Sequence, residues 1–128
     1  MAAGQTYACG LGFRVDRVEA DEATGSMEIG PECLNPFGTV HAGALVWFAD
    51  VVATNLANGG APVTEGAPSF PVAVTLSAQL LANRREGVLT ASARWVKRGR
   101  RVSTVRTLVE DADGRVLLDL TSTHVSAK

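Results

Sequence analysis

The feature that most constrains the fold is a long apolar segment in the first half of the chain. Residues 44–49 read Ala-Leu-Val-Trp-Phe-Ala, and the segment 40–58 that contains them ends at Gly59-Gly60, as helices often do. A helix with apolar side chains on every side is buried on most of its surface. We therefore predict one long buried helix over 40–58, with the hydroxyl of Thr39 as its N-cap.

The segments around this helix have the character of strands. In 72–80 apolar residues alternate with smaller or more polar ones, which predicts a half-buried strand. The turn 21–25 and the Asp113-Gly114 pair predict reversals of the chain. The predicted strands are 11–18 and 25–29 before the helix, then 72–80, 88–97, 101–110 and 115–125 after it.

This order of elements predicts an α+β fold, a single domain over residues 1–128. One antiparallel sheet wrapped around the helix satisfies the pattern. A helix as apolar as this one needs more cover than one sheet provides. A second copy of the chain is the simplest source of that cover, so we expect a homo-oligomer.

Composition excludes several classes of protein. The formal net charge of -1 gives no attraction to nucleic acid or to anionic membranes. The longest apolar run is far too short to span a bilayer, and residues 1–5 do not resemble a signal peptide. Two cysteines, Cys9 and Cys33, favour a reducing compartment. We expect a cytoplasmic protein without metal, and interpret these cysteines and His124 as structural.

The most informative single residue is Asp50, which lies between apolar residues in the middle of the predicted helix. A buried, unpaired carboxylate is costly, and such groups are more often functional than structural. Thr54 lies one turn later on the same face. The alternative is a structural carboxylate capped by Thr54. Trp47 and Phe48 are interpreted as core residues rather than as a clamp on a substrate.

A second candidate site is the first turn of the helix, at His41 and Ala42. Backbone N–H groups there lack partners within the helix, and the local dipole favours negative charge. Such a turn can stabilise an oxyanion, and small residues at 42 and 43 let a ligand approach closely. The alternative is that His41 only begins the helix. His41 and Asp50 are about 13 Å apart along the axis and half a turn out of phase. Two antiparallel copies would bring them together at a shared site.

Together these residues resemble a known family. The pattern Asn-x-x-Gly-x-x-His-x-Gly at 35–43, with an aspartate nine residues after the histidine, is similar to the hotdog-fold thioesterases of the phenylacetate-degradation (PaaI-like) type. The similarity extends over nearly the whole chain and includes the later hairpin and turn. Its fixed positions here are Asn35, Gly38, His41, Gly43 and Asp50.

The resemblance implies a role for each residue. The N–H of Ala42 would polarise the thioester carbonyl, and His41 would fix that turn and the substrate. Asn35 would position the attacking water or the leaving sulfur, although it can also be a simple turn former. Asp50 of the partner subunit would act as general base or nucleophile, and Thr54 would hold the water or the carboxylate.

The chain departs from the family at two positions. Ala42 stands where the family usually has glycine, but alanine still offers its N–H. Ala73 stands where some relatives carry a hydroxyl on the strand after the helix. The role of that hydroxyl would then pass to Thr54, Ser69 or Ser77.

Positive charge is concentrated at the hairpin 97–101, with Arg84 in the preceding turn. Guanidinium groups bind phosphates well, so these residues are candidates for holding coenzyme A. The alternative is a solvated hairpin tip. The predicted substrate-binding residues are Gly38, Gly43, Arg84, Lys97, Arg98, Gly99, Arg100 and Arg101.

The resemblance implies an acyl-CoA thioesterase that acts on aryl, arylacetyl or medium-chain acyl groups as a dimer or tetramer. It implies no cofactor, since coenzyme A is part of the substrate. Two alternatives remain open: a hotdog hydratase or dehydratase, and a non-catalytic acyl-CoA-binding protein. The first is less favoured because the chain lacks the histidine followed by a fixed downstream proline that such enzymes typically show.

Overall fold

A computed structural model describes residues 11–59 and 70–126. This part of the chain forms six strands and one α-helix, with a short 3-10 turn at Pro31–Cys33. The helix α1 spans Ala42–Ala57. The strands are β1 (Arg14–Val18), β2 (Glu22–Glu28), β3 (Pro71–Leu80), β4 (Val88–Lys97), β5 (Val102–Glu110) and β6 (Val116–Ser126).

All six strands form one antiparallel sheet in the order β1-β2-β4-β5-β6-β3. The helix packs across one face of this sheet and contacts every strand. Its buried side chains, among them Phe48, Val52 and Leu56, meet buried residues of the sheet such as Leu89 and Leu120. The predicted order of elements is confirmed. Within the described ranges no helix is long and apolar enough to cross a membrane.

The helix begins two residues later than predicted, and its cap is a different residue. His41 is the N-cap, with φ -66° and ψ 135°, and its Nδ1 accepts a hydrogen bond from the N–H of Gly43 at 3.2 Å. The prediction of Thr39 as N-cap was wrong, because its hydroxyl bonds to Asn35 instead. The predicted stop is confirmed: the helix ends at Ala57, and Gly59 follows with φ +65°.

The predicted turn at 21–25 was also wrong, because these residues belong largely to β2. This strand pairs with β4 over its whole length, from Glu22 opposite Arg94 to Glu28 opposite Val88. Gly25 serves close packing rather than a turn. A Cβ atom there would lie 2.8 Å from Cγ2 of Val52, so the glycine lets α1 approach this side of the sheet.

The two edges of the sheet differ. The edge strand β1 is short, carries Arg14, Asp16 and Arg17, and has an irregular register between Val15 and Arg17. At the other edge, β3 is ten residues long, with a register shift between Ala73 and Thr75.

The alternation in β3 predicted a half-buried strand, but one chain does not bury it. Leu76 pairs with the buried Ser122, and Leu80 with the buried Leu118, so both leucines point to the side of the sheet that carries α1. They are nevertheless 46% and 52% exposed. Among the described residues, the helix covers the middle of the sheet and leaves these leucines of the edge strand partly open.

Candidate active site

The start of α1 has the geometry of an anion-binding turn. His41, Ala42 and Gly43 are exposed. The N–H of His41 donates to the carbonyl of Cys33 at 2.7 Å, and that of Gly43 is used by the His41 ring. The N–H of Ala42 has no hydrogen-bond partner in residues 11–59 and 70–126. A free donor at an exposed helix start suits an oxyanion.

The loop before this turn is organised by Asn35. Its Oδ1 accepts hydrogen bonds from the N–H groups of Phe37 (2.9 Å) and Thr39 (3.2 Å). Its Nδ2 donates to Oγ1 of Thr39 at 2.9 Å. The side-chain amide therefore shapes the loop, as the turn-forming interpretation expects. The role of Asn35 toward the water or the sulfur stays a prediction.

Gly38 lies in the same loop with φ +78°. A side chain there is strained, and a Cβ atom would lie 2.8 Å from Nη1 of Arg85. That same Nη1 donates to the carbonyl of Phe37 at 2.9 Å. The structure thus explains this glycine by the shape of the loop.

Asp50 is half-buried in the middle of α1. Its Oδ1 is buried and has no hydrogen-bond partner among the described residues, and no bond joins it to Thr54. The capped structural carboxylate, which was the alternative interpretation, is therefore not what the structure contains. A buried carboxylate oxygen without a partner is costly, which favours a functional role.

Asp50 lies on a particular flank of the helix. It is about 100° around the axis from the buried Ala49, and it shares this flank with Thr54 and Ala57. Phe48, which contacts Phe13 near β1, lies about 160° from Asp50 around the axis and marks the other flank. Asp50 therefore lies on the side of α1 that faces β6 and the β3 edge, which agrees with the effect of its charge on His124 of β6.

The aromatic residues of α1 follow the core interpretation in part. Phe48 is fully buried, and its ring lies 5.2 Å from that of Phe13. Trp47 is partly exposed and packs against Phe13 at the surface.

A buried polar pair on β6 lies beneath the helix. Oγ of Ser122 and Nε2 of His124 are 2.8 Å apart, and Nδ1 of His124 is buried without a partner in the described ranges. Burial lowers the pKa of His124, and the negative charge of Asp50 opposes this shift. Sequence reasoning gave His124 no role. The signal it overlooked was Ser-x-His in register with the buried Leu118 and Leu120 of the same strand.

The candidate hydroxyls are not equivalent. Ser77 pairs with the exposed Thr121, so it lies on the face of the sheet that points away from α1. The suggestion that Ser77 holds the water was therefore wrong. Ser69 lies outside the described residues. Thr54, one turn from Asp50, remains the candidate.

The basic hairpin 97–101 lies at the C-terminal end of α1. Arg98, Gly99, Arg100 and Arg101 line a cavity of about 190 Å³ together with Ala57 and His124. The guanidinium of Arg98 lies 5.0 Å from the ring centre of Trp95. Gly99 approaches the carbonyl of Val102 too closely for any Cβ atom. Lys97 is an exposed residue at the end of β4 and is absent from the cavity lining.

Arg84 was grouped with this hairpin, but the structure separates them within one chain. Arg84 lies before β4 and the hairpin after it, at opposite ends of a ten-residue strand. Nη1 of Arg84 contacts Asp111 at 3.0 Å and Asp113 at 3.1 Å. These hydrogen bonds raise the pKa of Arg84. Part of its donor capacity is therefore used within the fold.

Within one chain, the parts of the candidate site lie at opposite ends of helix α1. The oxyanion turn is at the N-terminus of the 16-residue helix and the basic hairpin at its C-terminus, about 24 Å away. Two antiparallel copies of α1 would bring the turn of one to the hairpin and Asp50 of the other. The described ranges contain no cluster of residues suited to a metal ion.

Comparison with known proteins gives one family. The sequence pattern of the thioesterase superfamily matches residues 37–118, well over half of the chain. No protein of curated function matches the sequence significantly.

Solved structures share the fold. A mutant of the phenylacetic acid degradation protein PaaI from Thermus thermophilus is 25% identical, with a TM-score of 0.78 over 92% of this chain and 95% of that one. A mutant thioesterase from Pseudomonas aeruginosa is 24% identical, with a TM-score of 0.81 over 91% and 82%. A hypothetical thioesterase from Streptococcus pneumoniae, solved with coenzyme A, is 16% identical, with a TM-score of 0.80 over 95% and 94%. The predicted hotdog fold and the predicted enzyme class, a thioester hydrolase, are confirmed.

Proposed function

Because the chain belongs to the thioesterase superfamily, we propose that it hydrolyses an acyl-CoA thioester to the free acid and coenzyme A. The observation that carries the proposal is the buried, unpartnered Oδ1 of Asp50 on the flank of α1 beside the open β3 edge. The acyl group is aryl, arylacetyl or medium-chain, as expected for the PaaI-like type. Similarity to PaaI of Thermus thermophilus supports the PaaI-like type. The coenzyme A in the Streptococcus pneumoniae structure supports coenzyme A as the thiol part of the substrate.

The working unit is at least a dimer that forms along β3. Among the described residues, this edge strand presents ten residues of backbone without a neighbour on one side, and it exposes Leu76 and Leu80 toward the helix side. A second copy that pairs antiparallel to it satisfies the backbone groups and covers the leucines. A two-fold axis at this edge also makes the two α1 helices antiparallel.

Each site then takes its parts from both copies. The thioester carbonyl accepts a hydrogen bond from the N–H of Ala42 of one protomer, and Asp50 of the partner subunit faces the carbonyl carbon. As general base, Asp50 takes a proton from water while the water oxygen bonds to the carbonyl carbon. The negative charge on the carbonyl oxygen is stabilised at the helix start. Collapse of this intermediate breaks the C–S bond, and the proton passes to the sulfur.

As nucleophile, Asp50 instead forms an anhydride with the acyl group and expels the thiolate before water attacks. Both routes give the same products. Label in the protein after a single turnover in ¹⁸O-labelled water indicates the anhydride, because hydrolysis at its aspartyl carbon transfers a water oxygen to Asp50.

The basic hairpin holds the phosphates of coenzyme A. Arg98, Arg100 and Arg101 surround the cavity at the end of α1 that an antiparallel partner would bring to the oxyanion turn. Arg84 of the other copy lies at this same end of such a dimer and contributes positive charge despite its ion pairs.

The test replaces Asp50 with Asn and measures thiol release from a panel of acyl-CoA substrates with a chromogenic reagent. We expect Asp50→Asn to lower kcat by at least about 100-fold, the range of a lost base or nucleophile. The exposed Asp21→Asn is the matched control and keeps full activity. Unchanged turnover in Asp50→Asn removes the proposed mechanism. Conversion of substrate without free thiol would indicate a hydratase, and tight binding without turnover a binding protein.

A further inference from the structure

One side chain outside the family motif holds the backbone at the start of α1. Oδ1 of Asn83 accepts a hydrogen bond from the N–H of Val40 at 3.0 Å, and its Nδ2 donates to the carbonyl of Val40 at 3.0 Å. The two residues are 43 positions apart in sequence. The amide therefore pairs with Val40 at two points, as a neighbouring strand would.

Val40 is in turn well fixed by the rest of the chain. It is fully buried, and its N–H also donates to the carbonyl of Arg84 at 3.1 Å. Its carbonyl has the Asn83 amide as its hydrogen-bond partner among the described residues. The next N–H, that of His41, is bound by Cys33. The last fixed residues before the free N–H of Ala42 are thus Val40 and His41.

Asn83 is itself held from the other side. The N–H of Arg84 donates to its Oδ1 at 2.8 Å, which fixes the orientation of the amide, and Nη2 of Arg115 donates to its backbone carbonyl at 2.9 Å. The side chain of Asp111 is 2% exposed and binds Arg84 at 3.0 Å. It also accepts the N–H groups of Asp113 and Arg115, both at 2.9 Å. The turn between β5 and β6 thereby anchors Asn83.

We propose that Asn83 is a positioning residue, which aims the N–H of Ala42 by fixing the backbone of Val40. The inference rests on the proposed function, in which this N–H stabilises the oxyanion. Such a donor acts only when it points to the place where charge develops, and a misplacement of about 1 Å can cost about 100-fold in rate. Asn83 touches neither the substrate nor the reacting atoms.

The test compares Asn83→Ala and Asn83→Asp with Asn55→Ala. The control removes a similar bond, from Nδ2 of Asn55 to the carbonyl of Val51 at 2.8 Å, within the second half of α1. Asn83→Asp keeps the size of the side chain but replaces its donor with an oxygen that faces the Val40 carbonyl. We expect both Asn83 variants to lower kcat at least about tenfold with little change in KM, because the donor matters most in the transition state. The control keeps its kcat.

A second readout separates positioning from general stability. In amide NMR spectra of the ¹⁵N-labelled dimer, the Asn83 variants should shift the Ala42 and Gly43 signals, and the control should not. A variant that unfolds at a lower temperature but keeps the kcat of the wild type when folded overturns the inference, as does an unchanged Ala42 signal. Asp50→Asn is measured in parallel. If Asp50→Asn lowers kcat and the Asn83 variants do not, only the positioning role of Asn83 fails. If Asp50→Asn does not lower kcat, the proposed function fails.

Discussion

The N–H of Ala42 can be removed without disturbing the helix that carries it. Ala42 is the first residue of α1, a position where proline is favoured because its N–H has no partner within the helix. The preceding His41 has φ -66° and ψ 135°, the extended conformation that a residue before proline adopts. Ala42→Pro therefore deletes one hydrogen-bond donor and keeps the local backbone.

The expected loss follows from what one such donor contributes. Removing a single oxyanion donor costs about 100- to 1,000-fold in kcat, or about 2.7–4 kcal/mol. The stability of the folded protein should change little, because no described group bonds to this N–H. Ala42→Gly is the matched control: it keeps the N–H, and its kcat should stay within about threefold of the wild type.

The assay measures kcat by thiol release and stability by thermal unfolding of the same samples. Mixing Ala42→Pro with Asp50→Asn adds a test of the shared site. After the subunits exchange, half of the dimers are mixed, and each holds one intact site of two. Activity should recover to about a quarter of the wild type. Full activity in Ala42→Pro refutes the oxyanion assignment, and no recovery on mixing refutes a site built from two chains.

Three further predictions concern the edge, the hairpin and the turn that anchors the loop. Leu76→Asp should give monomers in sedimentation equilibrium and lose activity, because a charge replaces an apolar contact at the β3 interface. The control Val88→Asp, at a similarly exposed position on β4, should stay dimeric. An active Leu76→Asp monomer would contradict the shared site. Arg100→Ala together with Arg101→Ala should raise KM for acyl-CoA while leaving KM for the acyl-pantetheine analogue without the nucleotide unchanged; an equal effect on both would exclude phosphate binding. The hydrogen bond from the N–H of Arg115 is the chief cause that lowers the pKa of Asp111. The Asp111 carboxylate therefore stabilises the fold at pH values above the ordinary carboxyl pKa, and this contribution is lost as the pH falls through the lowered pKa. Asp111→Asn should therefore flatten the acid limb of the unfolding curve, and an unchanged limb would contradict this.

The fold was predictable because its main signals are local. The apolar segment around residues 44–49 predicted the helix, Gly59 its end, and the Asp113-Gly114 turn the last hairpin. The start of the helix was not predictable in the same way. Both Thr39 and His41 can cap a helix, and the choice depends on Asn35, which takes the Thr39 hydroxyl for the loop.

The site was predictable from sequence where a charged residue lies in an otherwise apolar segment. Asp50 stood out because a carboxylate is unexpected in an apolar helix, and its buried oxygen, which has no partner in the described part of the chain, agrees with that signal. Residues that act through distant contacts gave no such signal. Asn83 reaches Val40 across 43 positions, and His124 meets Ser122 only because a strand aligns them. Arg84 and the hairpin seemed close because both are basic, yet β4 separates them.

The unequal edges of the sheet bear on how far assembly can proceed. An apolar edge strand on each side would let copies add without limit, as in a fibre. Here the β1 edge is five residues long, charged and irregular between Val15 and Arg17, which makes it a poor template for another strand. In the proposed dimer the copies join β3 to β3, and that pairing occupies the long edge of each described sheet. Such a dimer would offer no second long edge among its described strands, so the sheet would stop at two copies.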